Sequence, residues 1–286
     1  MNSPLGDFLL PPGFAPLRLG SLANESSAVV EAVRLVRRTR QDKRARAGLA
    51  YAGHSRRKPV DPVLLIPGFL AGDSSLGFLA KFLRQQGFRT YRSGIHTNVG
   101  CTQDAADRLE RRIETIAIRR GRKVSIVGHS LGGMLARGLA SRRPDLIDGI
   151  VTMGSPMRAP GAVNSFLAWD VEMLTRLTRA GFGGLMSEDC VAGACARRSW
   201  DDQNSLLDPA IGFTAIYSKR DGVADWRACI DPDATAVEVR TSHCGMAIDP
   251  IVFDEVLRAL RDQQFSRATR SEGPSAVASL RRVVNK

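Results

Sequence analysis

The apolar positions of this chain change period several times along its length, and the changes mark its elements. Residues 1–23 carry several Pro and Gly and no period, and are expected to be irregular. Over 24–47, Val29, Val33 and Val36 recur at helical spacing, with Asn24 or Ser26 as a cap. The second half of that helix, "RRTRQDKRAR", is almost purely polar. "VLLIPGF" then reads as a short buried strand entering a glycine turn. A helix is expected over 74–86, a strand at "FRTYR", and a helix over 103–120 with Leu109, Ile113 and Ile116 on one face. "KVSIVG" follows as a strand, and 131–142 as a helix stopped before Pro144. "DGIVTMGSP", "IGFTAIYS" and "ATAVEVR" hold three more strands, and 250–264 a last helix. Short apolar strands alternating with helices imply an α/β domain, its mostly parallel central sheet covered by helices on both faces.

One interval breaks the alternation. Between Pro156 and Ile211 no strand pattern occurs. Val163, Phe166, Leu167, Val171 and Leu174 repeat as an amphipathic helix, followed by a Gly-rich stretch and a Trp-Asp segment. A structureless loop of this length would be improbable, so a helical insertion is expected.

The chemistry concentrates at "GHSLGG", residues 128–133, between a strand and a helix. Gly-x-Ser-x-Gly in that context is a nucleophile elbow: the sharp turn lifts the serine hydroxyl clear, and the glycines let strand and helix nearly touch. A plain turn with Ser130 as a helix cap is the bland alternative. A serine hydroxyl needs a base to become a useful nucleophile, and the elbow arrangement places an acid and then a histidine downstream. Of the four histidines, His54 and His96 precede Ser130 and His129 is its neighbour, which leaves His243 in "TSHCGM" after the last strand. Asp221, in the turn "SKRDGV" just after a strand, is the candidate acid; Asp225, one helical turn on, is the second. An oxyanion hole is expected from the N–H of Leu131, next to the nucleophile, and of Phe69 in "IPGF".

"IPGF", "VGHSLGG", "TMGSP", "YSKRDGVADW" and "TSHCGM" resemble, in order and spacing, the α/β-hydrolase superfamily, more narrowly its bacterial lipase and esterase branch. The resemblance runs from about Val63 to about Leu260, with Pro67 standing where many lipases have His. It implies an α/β-hydrolase fold with Ser130 as nucleophile, Asp221 as acid, His243 as base, and Phe69 and Leu131 as oxyanion donors. It also implies a helical cap or lid at 157–210, where Phe166, Leu167 and Trp169 could line an acyl pocket. The expected organisation is an N-terminal irregular segment and basic helix (1–58), a hydrolase domain (59–265) and a basic tail (266–286). The expected activity is carboxylic-ester hydrolysis through an acyl-enzyme, on lipid-like or medium-chain acyl esters. The same triad would serve an acyltransferase or thioesterase, and a non-catalytic scaffold on this fold is the third reading.

Composition narrows the partners. The chain has 286 residues and a formal net charge of +12. Residues 34–58 contribute +9 and 261–286 contribute +4, so the body is close to neutral. Basic flanks on a neutral body argue against a nucleic-acid face and suit peripheral contact with an anionic membrane through 34–58. Because the valines on its apolar face are small, the favoured reading of that helix is packing on the domain by its valines. No run long enough to span a bilayer and no signal-peptide pattern occurs, so a cytoplasmic protein is expected. The five cysteines form no C-x-x-C pair or zinc-type spacing; free thiols are expected over the conceivable pairs Cys190–Cys195 and Cys229–Cys244. No metal and no cofactor is expected.

Overall fold

The computed structural model describes residues 6–48 and 61–270. The end of the basic stretch after Gly48 and the tail beyond Arg270 lie outside the described residues. Strands β1 (Pro62–Ile66), β2 (Arg89–Arg92), β3 (Val124–His129), β4 (Ile147–Met153), β5 (Gly212–Ser218) and β6 (Thr235–Val239) form one sheet in the order β2-β1-β3-β4-β5-β6. Every pairing is parallel. The α-helices of the described residues are α1 (Ala28–Gly48), α2 (Gly77–Gln85), α3 (Thr102–Arg120), α4 (Leu131–Arg142), α5 (Ser165–Arg179), α6 (Ala194–Asn204) and α7 (Pro250–Arg270).

Alternation along the strands divides the core. Leu64, Ile66, Ile126 and Ile150 point to the face covered by Leu109 and Ile113 of α3 and Leu135 and Leu139 of α4. Val63, Leu65, Val127 and Val151 point to the opposite face, against Leu79 and Leu83 of α2 and Val252 and Phe253 of α7. Both faces of the sheet are therefore apolar, as the uninterrupted apolar strands require. The sheet's topological switch lies between β1 and β3, whose connections run to opposite sides; open parallel sheets build their sites at such a point.

Three local expectations change. The segment Leu19–Ser27 is a 3-10 helix, and regular α-helix begins only at Ala28, not at 24. The last helix continues to Arg270, past 264, so the expected boundary at 265 falls inside it. Third, α1 does not pack through its valines: Val29, Val30, Val33 and Val36 are 46–70% exposed, while Glu31 is 1% exposed. The docked face carries charge. Arg34 pairs with Asp249 at 2.7 Å and Arg38 with Asp254 at 3.2 Å, tying α1 to α7 and the turn before it. Glu31 accepts from the Ser27 hydroxyl, the Ser242 N–H and the Ser242 hydroxyl at 2.6–2.9 Å. Burial alone would raise the Glu31 pKa; these bonds, with Thr241, hold it below the usual carboxylate range.

The insertion is helical, as its pattern implied. Asn164 caps α5, its side chain accepting from the Phe166 N–H at 2.9 Å. Helix α6 docks on α4 through the Ser141 hydroxyl, which donates to the Asp202 carbonyl, and through an Arg142–Asp202 ion pair at 2.9 Å. Among the described residues no helix is long and apolar enough to cross a membrane.

The docking mode of α1 is testable by denaturation. Glu31→Gln removes a buried, hydrogen-bonded charge and should cost roughly 2 kcal/mol; Val33→Ser, on the exposed face, should stay within about 0.5 kcal/mol. Because the folded pKa of Glu31 is depressed, its contribution is full above the unfolded value of about 4.3 and is lost as pH falls through the folded value. The difference between wild type and Glu31→Gln should therefore shrink on acidification, measured by urea unfolding at pH 7 and pH 3.

Candidate active site

The strand ends bring the expected groups to one rim. Ser130 follows β3 with φ 52°, a left-handed conformation rare for a residue with a side chain. That strained turn is possible because two glycines leave room. A Cβ at Gly128 would strike the backbone of Gly132, and one at Gly132 would strike the carbonyls of Ile66 and Pro67. The elbow therefore nests against the end of β1, where Phe69 lies. The N–H groups of Phe69 and Leu131 have no intramolecular hydrogen-bond partner among the described residues.

His243 and Asp221 meet on the neighbouring strand ends. His243 Nδ1 lies 2.7 Å from Asp221 Oδ2, with both side chains buried. The other oxygen, Oδ1, accepts from the N–H groups of Val223 at 2.8 Å and Ala224 at 2.7 Å. The carboxylate is thus held at both ends and fixes the imidazole with its Nδ1 protonated, leaving Nε2 free to act as a base. Asp225 is otherwise engaged: it caps the turn at Trp226 and pairs with Arg227 at 2.6 Å. Of the two acids left open by the sequence, Asp221 is the one at the histidine. Gly154, at φ 56°, lies beneath this pair; a Cβ there would come 3.1 Å from both Asp221 Oδ2 and His243 Nδ1. The structure has no hydrogen bond between the Ser130 hydroxyl and His243, whose ring Nδ1 is engaged by Asp221.

Two groups the sequence did not point to hold His243. Glu25 accepts from the N–H of Gly222 at 2.9 Å, of His243 at 2.9 Å and of Cys244 at 3.0 Å. With Glu31 on Ser242, it ties the turns that carry Asp221 and His243 to the N-terminal segment. Such contacts join residues about two hundred positions apart and leave no periodic signal. The second is His129, whose Nε2–H donates to the His243 carbonyl at 3.0 Å. Burial, with the charge of His243 beside it, pushes His129 down to about 3, so it stays neutral. His243 goes the other way. Burial pulls its pKa down, but the charge and hydrogen bond of Asp221 and the charge of Glu25 outweigh that and raise it.

Above Ser130 opens a mainly apolar cleft walled by the insertion. Leu167, Val171, Met186, Val191 and Trp200 line it, with Phe69, Leu131 and Met134 below. Leu9, from the segment before α1, also lines it. Phe166 and Trp169 do not line it. They stack on one another with ring centroids 6.1 Å apart and are 52% and 53% exposed, because α5 turns Leu167, Ala168 and Val171 inward. All five cysteines are free thiols. The neighbour of Cys195 is Cys101 as well as Cys190, a grouping that spans the core and the insertion.

Residues 61–189 match the family model of the α/β-hydrolase fold. Among solved structures, the chain is similar to the mature form of the lipase BlEst2 from Bacillus licheniformis. That match is 14% identical with TM-score 0.56, and it covers 73% of this chain and 96% of the other. The chain is also similar to the monoacylglycerol lipase of Paleococcus ferrophilus, 18% identical with TM-score 0.51, over 72% of this chain and 94% of the other. At these identities the likeness is one of fold.

The electrostatics can be read without an assay, because the chain has four histidines. In an NMR titration, His243 should titrate above the ordinary value of about 6.5. Glu25→Gln removes a negative charge that favours the imidazolium and should move that pKa down. His129 should remain neutral throughout the stable pH range. A His243 pKa unmoved by Glu25→Gln would contradict the assignment.

Proposed function

We propose that this chain, which has the α/β-hydrolase fold, is a serine carboxylic-ester hydrolase of lipase or esterase type. The observation that carries the reading is the buried hydrogen bond of 2.7 Å between Asp221 and His243 at the rim that also holds the strained Ser130. The Ser130 hydroxyl attacks the ester carbonyl while His243 Nε2 takes its proton. Asp221 steadies the imidazolium that results and keeps the ring in the required tautomer. The oxyanion of the tetrahedral intermediate accepts from the N–H groups of Phe69 and Leu131. His243 returns the proton to the departing alkoxide, leaving an acyl-Ser130 ester. Water then attacks that ester with the same base, and Ser130 is released as the hydroxyl.

The apolar cleft supports an acyl chain as the group bound, hence lipid-like or medium-chain esters. Residues 157–210 serve as the cap of that cleft. Both solved neighbours described above are named as lipases, which favours the same substrate class. For partners, we propose that α1 touches an anionic membrane through the basic stretch 34–58. What supports it is that Val29, Val30, Val33 and Val36 face outward on the same helix, giving an apolar stripe beside the positive charge.

The reaction is tested with p-nitrophenyl esters of increasing chain length. Activity should rise into medium chain lengths and vanish in Ser130→Ala. Asp221→Asn should lower kcat by about 10⁴, and Asp225→Asn by far less; the reverse order would overturn the acid assignment. The membrane contact is tested by pelleting the full chain with anionic and zwitterionic vesicles. Binding should favour the anionic set and fall in the Val29→Ser/Val33→Ser variant; equal pelleting in all cases would contradict it.

A further inference from the structure

Outside the triad, the chain gathers three thiols at the seam between core and cap. Cys101 is the residue before α3, Cys190 ends the 3-10 turn Glu188–Cys190, and Cys195 lies in the first turn of α6. Their sulfurs all lie within 4.8 Å of one another, with Cys101 and Cys195 at 3.3 Å. A thiolate–zinc bond is about 2.3 Å, so sulfurs arranged around one ion stand roughly 4 Å apart. The 3.3 Å pair and the 4.8 Å upper bound put all three sulfurs within reach of one ion. A disulfide, by contrast, would use only two of them and would need a sulfur separation of about 2.05 Å.

The surroundings favour thiolates once a cation is present. Two helix N-termini, those of the 19-residue α3 and the 11-residue α6, meet at the cluster. The Ser187 hydroxyl lies 3.4 Å from the Cys190 sulfur, and the Thr102 hydroxyl 4.0 Å from that of Cys195. These hydroxyls supply outer contacts of the kind that orient metal ligands.

We propose that Cys101, Cys190 and Cys195 form a trithiolate site for a thiophilic d¹⁰ cation, zinc(II) or copper(I) in class, that fastens the cap to the core. Soft thiolates select such ions. Binding involves no oxidation: three S–H bonds are exchanged for three metal–sulfur bonds and three protons are released. Because Cys190 and Thr102 also line the cleft above Ser130, the ion would brace one wall of that cleft. This site does not depend on the proposed esterase activity, and its test uses no turnover.

The full chain, reduced and kept anaerobic, is titrated with cadmium(II) as a spectroscopic stand-in for zinc, and separately with copper(I). The expected result is a thiolate-to-cadmium charge-transfer absorption that saturates at one equivalent, with a higher thermal midpoint. It should be lost in Cys101→Ser and in Cys190→Ser and kept in Cys244→Ser, whose thiol is exposed and remote from the cluster. In the wild-type chain the bound ion should also protect these three cysteines, and not Cys244, from alkylation read by mass spectrometry. Absence of the band, a band that survives both serine variants, or alkylation unaffected by the ion would overturn the proposal. Isolation without reductant of a chain already joined as a Cys101–Cys195 disulfide would overturn it too.

Discussion

All six strands run parallel, and that one constraint places the chemistry. Parallel strands deliver every outgoing loop to the same edge of the sheet. The turn after β1 brings Phe69 there, the turn after β3 brings Ser130, and the ends of β5 and β6 bring Asp221 and His243. These residues lie far apart in sequence and need no special path to meet. The switch between β1 and β3 opens the crevice, and glycines at 128 and 132 let the elbow settle into it. Hydrophobic burial on both faces of the sheet is what holds that edge still.

The polar rim then divides its protons by environment. His129 and His243 have ring centroids 4.8 Å apart, yet they are driven in opposite directions. His129 faces burial and a neighbouring positive charge and stays neutral, so it can only hold the His243 loop. His243 faces Asp221 and Glu25, whose negative charge outweighs burial. Glu25 and Glu31 come from the segment before the region matched by the family model, which begins at residue 61. The N-terminal segment is therefore part of the frame around these residues: its carboxylates accept the backbone N–H groups of Gly222, Ser242 and His243.

How much of this was legible depended on the range of the interaction. Strand and helix order follows from local period, and His243 follows from chain order and a count of four histidines. Asp221 could be separated from Asp225 only by their partners, His243 for the one and Arg227 for the other. The valines of α1 suggested a buried stripe, but the helix docks by Glu31, Arg34 and Arg38, because its partners are a polar turn and the acidic residues of the last helix and the turn before it. In α5 the period was right and the inward face was not: Leu167 turns in while Phe166 and Trp169 turn out, and both faces are apolar enough to mislead. The thiol grouping has no sequence signature, since Cys101 lies 94 positions from Cys195.

The proposed hydrolysis rests on Ser130 as the nucleophile beside the buried Asp221–His243 pair. The most direct measurement treats the full chain with a fluorophosphonate and maps the adduct by mass spectrometry. A single phosphonyl group on Ser130 is expected, formed quickly in the wild type and at least a hundredfold more slowly (on the order of the general-base contribution) in His243→Ala. Modification at another residue, or none on Ser130 in the folded chain, would contradict it.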